Sequence, residues 1–146
     1  MINNDQLMEE WRADCTIDRT KLLERMGRQP ILHSKYLSYL QTFKIKQRSL
    51  TLKYQKQRQA KTRYYNGEFT QDELAAAGLK QYLYKKPLRS ELEALLDADS
   101  DLQLIQEQIL YMETLVAGAE SILKDITNQY YLFKSIIDYT KFEAGV

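Results

Sequence analysis

Between Lys53 and Tyr65 the chain reads Lys-Tyr-Gln-Lys-Gln-Arg-Gln-Ala-Lys-Thr-Arg-Tyr-Tyr, a run of cations, amides and aromatic rings. Cations neutralise phosphates, while rings and guanidinium planes stack on unpaired bases. Lys53, Lys56, Arg58, Lys61, Arg63, Tyr64 and Tyr65 are therefore candidate contacts to single-stranded nucleic acid, with little sequence preference. A solvated lysine-rich helix face with its tyrosines turned to a core has the same composition, so the run by itself leaves both readings open. An anionic membrane surface is a lesser alternative, because the apolar side lacks the bulk of an interfacial helix.

Other chemistry is thinly supplied. Cys15 is the only cysteine and His33 the only histidine, which excludes an intramolecular disulfide and a Cys/His metal cluster. The five glycines are too isolated to form a phosphate loop, and no Ser/His/Asp arrangement can be defended. Asp97, Asp99 and Asp101 have metal-like spacing, but no glycine follows at the calcium-loop turn, and Gln108 stands where a bidentate glutamate belongs. Helix capping accounts for these acids better. Neither an enzyme nor a metal or cofactor is expected.

The near-neutral total conceals segregation. Residues 1–18 hold one cation against five carboxylates, residues 19–63 thirteen against one, and residues 64–146 seven against fourteen. A basic third of this intensity implies an anionic partner, either outside the molecule or in the chain's own acidic part.

The elements that must position these residues read as helices throughout. Gly and Pro together number only seven of 146 residues, leaving few breakers to close strands into sheets, and the fold class is all-α. The length suits a single helical domain. Its expected parts are an acidic N-terminal arm (1–18), basic helices (19–67), short connecting helices (68–99) and a C-terminal helix (100–146). A first helix over Asp5–Asp14 carries Trp11 as a packing anchor. From Pro30 to about Tyr65 one long helix buries Leu32, Tyr36, Tyr39, Leu40, Phe43, Leu50 and Tyr54, and its second half reads as solvated and cationic. Asn66-Gly67 ends it. Thr70 with Glu73, and Ser90 with Glu93, spell capping boxes for two short helices, the first running through Gly78. Lys85, Lys86 and Arg89 form a small basic turn around Pro87. The polar, acidic start lacks a secretion signal, and no run approaches a membrane span, so a soluble intracellular protein is expected.

The last third carries the longest pattern. Leu102, Ile105, Ile109, Met112, Val116, Ala119, Leu123, Ile126, Tyr130, Phe133, Ile137 and Thr140 follow steps of three and four without a slip. That is a heptad seam on a helix of roughly 58 Å. Leu115, Ile122 and Ile136 widen it on one flank. The spacing predicts an assembly element for a homo-oligomer of higher order than a dimer, through Ile105, Ile109, Met112, Val116, Leu123, Ile126, Tyr130, Phe133 and Ile137. The alternative is a spine packed only against its own chain.

Ile17-Asp18-Arg19-Thr20-Lys21-Leu22, Ser34-Lys35-Tyr36-Leu37, Tyr64-Tyr65-Asn66-Gly67 and Phe142-Glu143-Ala144-Gly145 resemble, in order, stretches of the UvsY recombination mediators of T-even-type bacteriophages. The resemblance implies a non-enzymatic factor of the infected host's cytoplasm, active in recombination, replication and repair. It would bind single-stranded DNA as a ring of about six or seven subunits. It would also help a RecA-type recombinase replace the phage single-strand-binding protein. The family's motif before the paired tyrosines reads Leu-Lys-Ala-Arg-Leu. Here the stretch is Arg58-Gln59-Ala60-Lys61-Thr62, with Gln59 in place of the lysine and Arg58 and Arg63 able to restore charge from adjacent turns. A coiled-coil scaffold whose basic helix contacts protein rather than DNA is the alternative function.

Overall fold

Asn3 starts the first helix. Its side-chain oxygen accepts the Gln6 N–H at 2.8 Å while the Gln6 side chain accepts the Asn3 N–H at 3.0 Å. This reciprocal cap opens α1 (Asn4–Asp14). Asp18 then caps a 3₁₀ turn, Arg19–Lys21, that leads into the short α2 (Leu22–Gly27). The long α3 (Gln29–Tyr65) tolerates Pro30 because a first-turn residue needs no helical N–H partner. α4 (Gln71–Ala77), α5 (Arg89–Ala98) and α6 (Ser100–Glu143) complete the order. The computed structural model describes residues 1–145, and among them the chain is all-α, as the sequence predicts. No helix among the described residues is long and apolar enough to cross a membrane.

Glycine ends two of the helices inside the chain. Gly67 adopts φ +73, with its N–H donating to the Tyr64 carbonyl and the Glu68 N–H to the Arg63 carbonyl, so the left-handed residue closes α3 as expected. Gly78 does the same for α4 at φ +65, its N–H reaching Ala75 and that of Leu79 reaching Leu74. The sequence reading ran a helix through Gly78. The structure instead stops it there, and residues 79–88 are non-helical. The second expected capping box also fails to form. α5 begins at Arg89, so Ser90 lies inside it, and the Glu91 side chain accepts the Leu88 N–H at 3.0 Å.

The chain divides into two compact units, Gln47–Tyr111 and Met1–Lys46 together with the chain from Met112 onward. In the larger unit Leu7, Leu32, Tyr36, Phe43, Leu115, Ala119, Ile122 and Ile126 are buried. Trp11 meets the Tyr36 ring edge-on at 5.5 Å, the packing anchor foreseen for it. Gly118 lets α1 approach α6, since a Cβ there would stand 2.9 Å from the Met8 terminal carbon. In the smaller unit Leu50, Leu74, Leu96, Leu102 and Ile105 are buried.

Along α6 the buried line follows one half of the heptad seam, Ile105, Met112, Ala119, Ile126 and Phe133. Leu115 and Ile122, on the widening flank, are buried, Val116 and Leu123 are half-buried, and Tyr130 is 65% exposed. Of the residues read as assembly contacts, Ile105, Met112, Ile126 and Phe133 are buried within the chain. Ile109, Val116, Leu123 and Ile137 are half-buried.

Candidate nucleic-acid interface

At 100° per residue, Leu50, Tyr54, Lys61 and Tyr65 fall on the inward arc of α3, while Arg48, Gln55, Lys56, Gln59 and Arg63 fall on the outer one. The candidate cations consequently split. Lys53 and Lys56 are exposed and form no ion pair within 4.0 Å among the described residues. The other three are each engaged by a carboxylate of the same unit. Arg58 meets Glu93 at 2.8 Å, and Arg63 makes a two-pronged contact with Glu73 at 2.8 and 2.9 Å.

Lys61 is the most enclosed, its side chain 12% exposed, and lies 2.8 Å from Asp101 and 3.3 Å from Asp99. Asp99 caps α6 through the N–H groups of Asp101 and Leu102, at 3.0 and 3.2 Å, while its other oxygen accepts the Tyr65 hydroxyl at 2.8 Å. Burial acts to raise the Asp99 pKa. The Tyr65 hydroxyl, the Leu102 N–H and Lys61 outweigh it and hold this carboxyl below its usual range. Burial also opposes the charge on Lys61, and the bonds to Asp101 and Asp99 overcome it and raise the ammonium's pKa. Arg63 is likewise raised, chiefly by its hydrogen bonds to Glu73. The expectation of a solvated second half for α3 therefore holds for Lys53 and Lys56 and fails for Lys61.

The paired tyrosines start an aromatic cluster. Tyr64 and Tyr65 stand 5.2 Å apart, Phe69 lies 5.7 Å from Tyr64, and Tyr82 lies 6.0 Å from Tyr64 and 5.2 Å from Tyr65. The Tyr64 hydroxyl donates to the Lys80 carbonyl at 2.8 Å. On the outer side of α3, Gln55, Arg58, Gln59, Thr62 and Arg63 line an open groove of about 650 Å³. Amides and guanidiniums there are hydrogen-bond donors suited to anionic oxygens, and Gln59 contributes a neutral donor at its position in the motif. Sequence reasoning missed Tyr82 and Tyr84 as members of the cluster. Their spacing from Tyr64 and Tyr65 carries no helical period that would announce it.

An all-α chain, with a basic segment closing on an aromatic cluster at the end of one long helix, defines the class of small helical protein to which this one is similar. Residues 10–146 match the family described as "Recombination, repair and ssDNA binding protein UvsY", and the chain belongs to the UvsY family. It is 31% identical over 143 residues to the recombination protein uvsY of Enterobacteria phage T4, covering 97% of each chain. The crystal structure of the bacteriophage T4 recombination mediator protein UvsY in lattice type II superposes with a TM-score of 0.83 at 26% identity, covering 99% of both chains. Lattice type IV gives 0.85 at 23% identity over 97% of this chain and 99% of that one, a likeness of fold.

Proposed function

We propose that this chain is a recombination mediator that binds single-stranded DNA and promotes loading of a RecA-type recombinase onto DNA covered by the phage single-strand-binding protein, in the cytoplasm of the infected host. Membership of a recombination, repair and single-strand-binding family over residues 10–146 carries the reading. Lys53, Lys56, Arg58, Lys61, Arg63, Tyr64 and Tyr65 form the DNA-binding segment. Lys53 and Lys56 contact phosphates directly, Arg58 and Arg63 do so in exchange for Glu93 and Glu73, and Lys61 and Tyr65 hold the segment's shape. The chain acts as one helical domain, and a closed ring of about six or seven copies repeats the segment around one DNA strand. Repetition converts weak single sites into tight, salt-sensitive binding.

A scaffold whose basic helix serves only internal or protein contacts is the second reading, favoured by the carboxylates on Arg58, Lys61 and Arg63. Equilibrium binding to a fluorescent oligonucleotide across a salt series separates the two, with duplex of the same sequence alongside and the oligomeric mass measured on the same sample. A defined oligomer that prefers single strands and loses affinity steeply with salt supports the mediator, and recombinase loading becomes the next assay. An oligomer that binds no DNA at low salt leaves the scaffold.

A further inference from the structure

The non-helical connector between α4 and α5 combines two properties that the DNA-binding segment of α3 has only in part. With Arg89, the first residue of α5, the run from Leu79 holds four cations, Lys80, Lys85, Lys86 and Arg89, and no carboxylate. All four are exposed, and none makes an ion pair within 4.0 Å among the described residues. Four of the seven cations in the acidic part of the chain thus sit in one short run with their charge unspent. On α3, by contrast, Arg58, Lys61 and Arg63 are each engaged by carboxylates.

The same run presents apolar surface to water. Leu83 is 87% exposed, Tyr84 78% and Leu88 70%. Leu83 and Tyr84 are neighbours in the chain, so large apolar side chains stand beside unpaired cations on this run, a combination suited to a partner. The connector is nonetheless held at both ends, at Lys80 by the Tyr64 hydroxyl and at Leu88 by the Glu91 side chain. Tyr84 is backed by Tyr82 at 5.1 Å, and Tyr82 by Tyr65 at 5.2 Å. Its ring leans on Tyr82 at an interplanar angle of 53° and is otherwise largely exposed. Such a ring stacks on a planar group with little further loss of conformational freedom.

We propose that this connector is a second contact for single-stranded nucleic acid, with Tyr84 stacking on an unpaired base and Lys80, Lys85, Lys86 and Arg89 holding the neighbouring phosphates. The inference rests on the single-strand-binding reading above and adds a site to it. The ligand is sequence-neutral, because ring stacking and phosphate pairing are available with any base. Planar rings in series favour a nucleobase over the acyl chains of an anionic bilayer, which would select a broad aliphatic face.

The test uses the full-length oligomer and a fluorescent oligothymidylate of about twenty nucleotides, in single-stranded and duplex form, across a salt series. Lys85→Ser with Lys86→Ser is expected to weaken single-strand binding at least about tenfold at low salt and to flatten the log–log salt slope by about 1.4. Tyr84→Ala is expected to weaken single-strand binding about tenfold and to leave duplex binding unchanged. In the unaltered protein, a strand carrying 5-iodouracil is expected to crosslink on irradiation to the peptide containing Tyr84, a result that does not depend on any variant folding. Variants that match the parent in affinity and slope overturn the site, as do crosslinks confined to α3. So does binding to phosphatidylserine vesicles that these substitutions abolish while DNA binding stays intact. A parent protein that binds no single strand overturns the mediator reading itself, and the connector site with it.

Discussion

The Lys61 ammonium stands 3.3 Å from Oδ2 of Asp99, the residue that caps α6, so a cation of the basic helix is spent on the start of the acidic one. Asp99, its side chain 4% exposed, has bonding partners on both oxygens. Removing Lys61 strips the buried carboxylate of its nearest cation, and losing one member of a buried pair costs more than the intact pair contributes. Lys61→Ala is expected to destabilise the protein by about 3 kcal/mol. Urea unfolding followed by circular dichroism measures it, and an unchanged midpoint would show that Lys61 is free for DNA after all.

Glu73 and Glu93 offer the opposite case. Their partners Arg63 and Arg58 are substantially solvated, so these pairs add little to the fold. Glu73→Gln with Glu93→Gln is expected to leave the melting temperature nearly unchanged, to raise single-strand affinity and to steepen its salt slope, because two more cations become available to phosphates. Calorimetry and anisotropy titrations on one preparation check both halves. A drop in stability without a gain in affinity would favour the scaffold.

Acid should reach the same pair. Asp99 and Asp14 both ionise below the usual carboxylate value of 3.8. In Asp14 burial is again the leading opposing effect, overcome by the Lys35 ammonium and the Tyr36 hydroxyl at 2.6 and 2.9 Å. A carboxyl whose folded pKa is depressed contributes stability that is present above 3.8 and lost as pH falls through the folded value. Lys61 and Lys35 are raised above 10.5, so their share is lost only at strongly alkaline pH. Urea midpoints should therefore be flat in these groups from about pH 5 to 9 and fall below about pH 4. Asp99→Asn should flatten the acid limb. An acid limb unchanged in that variant would place the linkage elsewhere.

Periodicity and glycine placement made much of the fold legible. The two long helices and the turn at Gly67 follow from apolar spacing and from the one residue type that tolerates positive φ. Gly78 was misread because a glycine inside a periodic pattern can be tolerated or can terminate, and only the bonds to Ala75 and Leu74 decide. Ser90 failed as a cap because Leu88 and Glu91 supply the start of α5 by another route. In the candidate site the types were readable and the pairing was not. Lys61 falls on the inward arc by helical angle alone, but which carboxylate would meet it depends on where α6 begins. The connector's aromatic cluster had no sequence period to reveal it.

Gly118 fixes how closely α1 sits on α6, and two substitutions there should separate. Alanine adds a Cβ that crowds only the flexible end of Met8, which can turn aside, and meets Leu7 at ordinary contact distance, and it gains helix propensity of about 1 kcal/mol. A leucine would also displace Leu7, whose side chain lies 3.6 Å from that Cβ and is fully buried. Gly118→Ala is expected to be neutral or slightly stabilising, and Gly118→Leu to undock α1. Trp11, the only tryptophan, reports the event through its fluorescence because its ring rests on Tyr36. A Gly118→Leu protein with parental emission would show that α1 stays docked through Glu10, Trp11 and Asp14 whatever stands at position 118.

The buried stripe on α6 leaves one line of the heptad seam outside it. Ile126 is 4% exposed within its own chain, whereas Val116, Leu123 and Ile137 are half-buried and Tyr130 is largely exposed at seven-residue intervals along one flank. A line with that period suits a neighbouring helix. If the proposed ring is built on it, Leu123→Glu with Tyr130→Glu should yield a folded monomer of unchanged helicity, with single-strand affinity lowered by a hundredfold or more as avidity is lost. Ile126→Glu should instead unfold the larger unit, since it buries an unpaired carboxylate. Light scattering, circular dichroism and anisotropy on the same samples decide. An oligomer that survives the flank substitutions would move the assembly surface off this line, and parental affinity in a folded monomer would remove avidity from the account of DNA binding.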